Sequence, residues 1–232
     1  MSARPTTVVK VGGSLSKSNE SNAAASLMRD LVARRRERFI VVPGGGEFAD
    51  AVRLAQRRHA LGEDAAHHMA LLAMHMSAVM LAALGNGSEG RHGLLRNSLV
   101  RAAQDPHATK SADDIRSPCA IVAERSEEFD SAWERKLLPI WAPERMVLSA
   151  RAVPASWEVT SDSLAAWLTS QIGAARLLVV KSCMVPEEMR GDAAALAAAG
   201  IVDASFPKFV IAAAFSWQVV GGADAAMRAL DA

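Results

Sequence analysis

Three of the six lysines in this chain occupy positions where an ammonium group is expensive to keep; the other twenty basic side chains are all arginine. Lys10 lies inside the apolar run 6–11, two residues before Gly12-Gly13-Ser14. Lys181 follows the apolar run 177–180, and Lys208 is set between Phe206-Pro207 and Phe209. An ammonium in apolar surroundings is costly unless it meets an anion, so the three point to an anionic ligand such as a phosphoryl group, which a compact ammonium neutralises as a point charge. Asp162 follows Thr160-Ser161 at the start of a predicted helix. Its carboxylate either serves the helix start or, facing the site, holds lysines in position. Such a set suits phosphoryl transfer, where positioning and charge neutralisation do most of the work.

Two glycine turns offer the cradle. Gly12-Gly13-Ser14 and Gly44-Gly45-Gly46 each follow a buried β-branched run, and glycine there lets backbone N–H groups approach phosphate at the carboxyl end of a strand. Two turns can hold two phosphoryl groups facing each other. For either turn alone, the competing explanation is that glycine only permits positive φ. Asp50 and Arg53, one helical turn beyond the second glycine turn, are candidates for substrate recognition; the alternative is a solvated helix face. The dinucleotide pattern G-x-G-x-x-G, the P-loop and the G-x-S-x-G elbow are absent.

The elements that must position these residues alternate. Apolar runs predict strands over 6–11, 39–42, 137–141, 177–180 and 219–220. Helical spacing predicts helices over 22–37, 47–59, 65–84, 126–136, 161–172 and 192–199, with Ser126 as an N-cap ahead of Glu127 and Glu128. The polar stretch 91–116 reads as loop and short elements. Strand, glycine turn and helix recurring in this way predict one domain over 1–232, a three-layer αβα sandwich around a mostly parallel sheet.

Composition narrows the function classes. With 232 residues, 50% of them hydrophobic, and 26 basic against 25 acidic side chains, the chain is neither disordered nor charged as a nucleic-acid binder would be. Cys119 and Cys183 are isolated, so neither a disulfide framework nor a zinc site is indicated. Residues 1–10 lack the regions of a signal peptide, which makes the cytoplasm the expected compartment. The run 65–84 has the length of a membrane span, but His67, His68 and His75 within it favour a buried or interface helix. A homo-oligomer is therefore expected, with one histidine in reach of an acceptor pocket. No metal site is expected at the three histidines, because no carboxylate sits at a chelating offset.

Val9-Lys10-Val11-Gly12-Gly13-Ser14, then Val42-Pro43-Gly44-Gly45-Gly46-Glu47-Phe48-Ala49-Asp50, then Thr160-Ser161-Asp162-Ser163-Leu164-Ala165-Ala166 resemble, in this order, the amino acid kinase superfamily of aspartate, acetylglutamate and uridylate kinases. Residues 43–53, His68-Met69-Ala70 with Ala73-Met74, and 154–162 with Ser156-Trp157 more narrowly resemble its methanofuran-biosynthesis branch. That branch converts an aminomethylfuran methyl phosphate to the diphosphate with ATP. The resemblance implies ATP with Mg²⁺ as donor and a small phosphorylated molecule as partner. It implies that Lys10 contacts the transferring group, that Gly12, Gly13, Ser14 and Lys181 bind the nucleotide, and that Gly44, Gly45 and Gly46 face the acceptor. Asp162 would orient the lysines, with Lys208 as the second phosphate-neutralising lysine.

One stretch departs from the pattern. Where relatives carry an Asp-Val-Asp-Gly-type segment of the nucleotide pocket, this chain reads Lys181-Ser182-Cys183-Met184-Val185. Three readings follow: a kinase of the aminomethylfuran phosphate, a kinase of another acceptor such as a nucleoside monophosphate or isopentenyl phosphate, or a non-catalytic homologue acting as a binding or regulatory subunit.

Overall fold

The computed structural model describes residues 5–16, 23–87 and 118–232, so the predicted loop over 91–116 lies outside the described residues. Six strands form one sheet: β1 (Thr7–Val11), β2 (Phe39–Pro43), β3 (Ala120–Ala123), β4 (Leu138–Trp141), β5 (Arg176–Lys181) and β6 (Ser216–Gly221). Their order is β3-β4-β2-β1-β5-β6 and every pair is parallel. The sheet is thus wholly rather than mostly parallel, and β3, a four-residue strand with alanine at both ends, carries too little periodicity to announce itself in sequence.

Both faces are covered, as a parallel sheet requires. On one face Val9, Val11, Val41, Leu178 and Val180 pack against α1 (Ala23–Ala33), α9 (Ala223–Asp231) and the second half of α3 (Glu63–Asn86). On the other, Val8, Ile40, Val42, Leu177 and Val179 pack against α4 (Ser126–Glu134), α5 (Glu144–Leu148), α6 (Ser161–Gln171), α7 (Ala193–Ala198) and α8 (Phe206–Val210). Alternation along a strand puts Lys10 on the face of Val8, and Lys181 on the face of Leu177 and Val179. Both lysines therefore rise toward α6.

Among the described residues α3 is the one helix long and apolar enough to cross a membrane. Here it belongs to the layers: Leu71 and Met74 enter one core, and Ala78, Leu81 and Ala82 the other. A helix apolar on several sides shows no clean amphipathic stripe, which is why its sequence resembles a span.

Several predicted termini move, α4 for one ending at Glu134 rather than residue 136, and two of the moves are informative. α1 stops at Ala33 rather than residue 37, because Arg34 turns out to bond Glu37 at 2.8 Å and Asp231 at 2.7 Å, tying the turn to α9. Ser126 is not the N-cap of α4; Arg125 holds that position without a side-chain cap, and Glu128 bends back to accept the Glu124 N–H at 2.7 Å.

The connection leaving β1 runs to β2 on one side, and that leaving β5 runs to β6 on the other. The crevice beyond the carboxyl ends of β1 and β5 is the topological switch point, where open α/β sheets bind ligands.

Candidate active site

At this switch point one carboxylate bridges two lysines. Lys181 stands two residues beyond Val179, the register partner of Lys10, and the first turn of α6 delivers Asp162 between them. Lys10 Nζ lies 2.7 Å from Asp162 Oδ1, and Lys181 Nζ 2.6 Å from Oδ2. Lys10 and Asp162 are each 3% exposed. The Lys10 ammonium carries three N–H donors, so beside its contact with Asp162 it keeps donors for another anion. Burial lowers the Lys10 pKa to about 8, against the opposing pull of Asp162. Burial also works against the Asp162 carboxylate, yet Lys10 and Lys181 together hold it below the usual carboxylate range. The cluster carries a net positive charge when all three groups are ionised.

The helix-start reading of Asp162 is corrected by Asp203, which the sequence analysis did not single out. The N-cap of α6, Thr160, makes no side-chain cap. Asp203, just ahead of α8, supplies it: Oδ2 accepts from the backbone N–H of Thr160 and of Ser163, each at 3.0 Å, and from the Thr160 hydroxyl at 2.9 Å. Its Oδ1 accepts from the Ser163 hydroxyl and from the Phe206 N–H. One carboxylate caps α6 and also accepts the first N–H of α8, and Asp162 is released for the lysines. The available signal was local: Asp203 stands three residues before Phe206, close enough to accept its N–H at the start of α8, and nothing nearby in sequence pointed to α6.

Lys208 is not brought to this cluster. It is exposed on α8 and does not line the cavity. The reason is helical phase: α8 buries Phe206 and Val210, and a residue two positions after Phe206 is turned about 200° away from it. The second lysine on Asp162 is Lys181.

The two glycine turns touch each other through their backbones. A Cβ on Gly13 would overlap the backbone nitrogen of Gly46, and a Cβ on Gly44 would overlap that of Gly13. Only Gly46, among the glycines of the two turns, has positive φ, at +54°, so close approach rather than turn conformation explains most of them. The second turn opens α2 (Gly46–His59), whose N-cap Gly45 offers no side chain. The orphan N–H groups of that first turn suit an anion. Ser14 is exposed and its hydroxyl meets that of Ser182 at 2.7 Å, joining the first turn to the end of β5.

A cavity of about 270 Å³ opens over these groups. Lys10, Lys181 and Asp162 line it, as do Gly12, Gly13, Ser14, Gly44, Gly45 and Gly46; Asp50 and Arg53 line it too. The Arg53 guanidinium stacks 4.2 Å over the Trp157 ring and reaches Asp50 Oδ1 at 3.2 Å. The Trp157 indole N–H is held by Gln56 at 2.6 Å. His67 also lines the cavity, and burial lowers its pKa. His68 instead pairs with Glu144 at 2.8 Å.

Among the described residues no group of three His, Cys, Asp or Glu side chains could hold a metal ion, and Asp162 is taken up by two ammonium groups. The residues present do not fit a protein-held Mg²⁺.

A wholly parallel αβα fold with glycine turns and a lysine–aspartate cluster at its switch point defines a phosphate-handling α/β protein. The chain matches the amino acid kinase family over residues 5–183 and belongs to it. At 21% identity over 184 residues it is similar to the [5-(aminomethyl)furan-3-yl]methyl phosphate kinase of Methanocaldococcus jannaschii; the match covers 79% of this chain and 66% of that enzyme, just under two thirds of its length. Uridylate kinase from Archaeoglobus fulgidus superposes with a TM-score of 0.64 at 15% identity, over 97% of this chain and 95% of that one. Carbamate kinase from Giardia lamblia bound to AMP-PNP gives 0.56 at 12% identity, over 100% and 96%. The structural likenesses establish the fold.

Proposed function

We propose that the protein is a kinase that transfers the γ-phosphoryl group of ATP to a phosphate-bearing small molecule, with [5-(aminomethyl)furan-3-yl]methyl phosphate as the acceptor. The observation that carries the reading is the Lys10–Asp162–Lys181 cluster at the joint mouth of two abutting glycine turns. The similarity to the Methanocaldococcus enzyme supports the acceptor.

The chemistry follows from this arrangement. An oxygen of the acceptor phosphate attacks the γ-phosphorus, the bond to the β–γ bridging oxygen breaks, and ADP leaves with that electron pair. A phosphate monoester, with a second pKa of about 6, is ionised at neutral pH and needs no general base. Lys10 and Lys181 stabilise the charge on the equatorial oxygens, Asp162 fixes their positions, and the glycine turns hold donor and acceptor in line. Mg²⁺ enters as part of the substrate, on the nucleotide phosphates.

The test is ADP formation with the purified chain, ATP·Mg²⁺ and the aminomethylfuran phosphate, with the diphosphate product identified by phosphorus NMR. Formation of ADP without that product, or with UMP or isopentenyl phosphate instead, reassigns the acceptor. The departure at residues 181–185 favours the second reading, a non-catalytic binding subunit. Under that reading millimolar ATP·Mg²⁺ leaves the thermal midpoint unmoved, whereas nucleotide binding raises it by mass action.

The same proposal places the protein in the cytoplasm as a homo-oligomer. Leu72 and Met76, four residues apart on α3, are 42% and 53% exposed, and Leu148 on the adjoining α5 is 51% exposed. This apolar face supports a subunit contact.

A further inference from the structure

Trp157 ties together the two segments that frame the cavity opposite the first glycine turn. It lies in the loop between α5 and α6, five residues ahead of Asp162. Its ring packs against Ala49 and Val52 of α2, its indole N–H donates to Gln56 Oε1 at 2.6 Å, and the Arg53 guanidinium covers it. The loop is braced as well: the Val159 N–H donates to the Ser156 carbonyl and the Ser205 N–H to the Glu158 carbonyl, each at 3.1 Å. One short segment thus docks on the helix that opens with the second glycine turn and delivers Asp162 to the lysines.

Arg53 is placed for an anion. Helical side chains lean toward the helix start, and Arg53 does so, its Nη1 reaching Asp50 Oδ1 at 3.2 Å. Asp50 stands four residues beyond Gly46, about 6 Å of helix, so the guanidinium lies about one turn from the second glycine turn. A phosphate group accepting hydrogen bonds of about 2.8 Å on opposite oxygens spans such a gap. The contact with Asp50 does not use Arg53 up. The two side chains are 39% and 52% exposed, which makes the pair a weak one, and the remaining N–H groups of the fork meet no acceptor among the described residues. The ring beneath fixes the plane of the guanidinium in advance, so less freedom is lost when an anion binds.

We propose that Trp157 is a positioning residue that holds Arg53 as a clamp on the acceptor phosphate. This rests on the phosphoryl-transfer reading above. The acceptor phosphate lies between the second glycine turn and the Arg53 fork, which leaves one of its oxygens to face the γ-phosphorus. Two anionic groups must approach each other for transfer. Lys10 and Lys181 offset that repulsion from the donor side and Arg53 from the acceptor side, and Trp157 sets the spacing because its loop also carries Asp162.

The experiment measures KM separately for acceptor and for ATP·Mg²⁺, using the full chain and whichever of the aminomethylfuran phosphate, UMP and isopentenyl phosphate it phosphorylates. Arg53→Ala is expected to raise the acceptor KM about ten- to a hundredfold, the scale of losing hydrogen bonds from a charged group, and to leave the KM for ATP within about twofold. Trp157→Ala should raise the acceptor KM as selectively. The double variant Arg53→Ala/Trp157→Ala should lose no more than Arg53→Ala, because the ring acts through the guanidinium. Trp157→Phe, which keeps a ring under Arg53, should retain most of the wild-type affinity, whereas Arg53→Lys keeps the charge without the fork and should not. Additive losses, or an equal rise in the KM for ATP, overturn the positioning role of Trp157. An unchanged acceptor KM in Arg53→Ala overturns the clamp, and this half-exposed site keeps that test open even if Trp157→Ala fails to fold. A wild type that phosphorylates none of the three compounds overturns the underlying reading, and the clamp with it.

Discussion

The backbone N–H of Asp203 donates to Asp162 Oδ2 at 3.2 Å, and the Asp203 side chain at the same time caps the helix that carries Asp162. A loop more than forty residues downstream thereby sets the carboxylate that holds both lysines. Asp203→Ala removes the acceptor from Thr160, Ser163 and Phe206, so a loss of about 2 kcal/mol in unfolding free energy is expected, as for other lost caps. Turnover should fall about ten- to a hundredfold through misplacement of Asp162. Denaturant titration and steady-state kinetics check both, and undiminished turnover removes Asp203 from the machinery.

Lys10→Met should lower kcat at least about a hundredfold, the usual scale for losing one electrostatic stabiliser of a transition state. Asp162→Asn is the harsher change for stability: it leaves two ammonium groups without their shared anion and should cost about 3–5 kcal/mol. The double variant Lys10→Met/Asp162→Asn removes one of the stranded charges and should regain part of that loss. If it unfolds as readily as Asp162→Asn, the ion cluster is not the source.

The pH response has a defined sign. The folded-state pKa of Lys10, about 8, lies below its ordinary 10.5, so between these values the unfolded chain holds a proton that the folded chain has released. The contribution of this group to stability therefore rises with pH across that window. Asp162 is shifted downward; its stabilisation is present above the ordinary carboxylate pKa and is lost as pH falls through the folded value. Activity needs charged Lys10, so kcat/KM should decline as pH rises through about 8. A flat profile to pH 9.5, about a unit and a half above that value, contradicts the role assigned to Lys10.

Gly45 has ordinary helical φ, −70°, yet a Cβ there would overlap the Ala49 methyl. Gly45→Ala should therefore destabilise by about 1–3 kcal/mol through overpacking. Adding Ala49→Gly relieves the overlap at an intrinsic helix cost of about 1 kcal/mol, so the double variant should lose less than the sum of the single ones. Additive losses would show that another contact restricts Gly45.

If α3 and α5 form a subunit contact, the wild type sediments as a dimer or larger assembly, and Met76→Glu shifts it toward monomer by placing a charge on the apolar face. Analytical ultracentrifugation over a concentration series decides this. A monomeric wild type ends the proposal and leaves Leu72, Met76 and Leu148 as scattered surface apolar residues, which are common.

Much of the scaffold was legible because its signals are local. Lys10 in a β-branched run before two glycines, the Pro43-Gly44-Gly45-Gly46 turn and the helix opening at Ser161 needed only neighbouring residues to be read. Lys208 shows where local signals stop. Apolar neighbours in sequence suggested burial, but α8 turns Phe206 and Val210 inward and Lys208 outward.

What the sequence by itself determined is the alternation of strand and helix, the two anion-ready turns and the presence of lysines in apolar runs, all consequences of short-range periodicity and backbone sterics. Tertiary structure alone decided which charges meet. That Lys181 rather than Lys208 shares Asp162, that Asp203 caps α6, and that Gln56 links Trp157 to Glu63 depend on contacts between segments far apart in the chain. Charge pairing is selected by the three-dimensional packing of the layers, and no local pattern encodes the distance between a strand end and a helix start that have yet to be brought together.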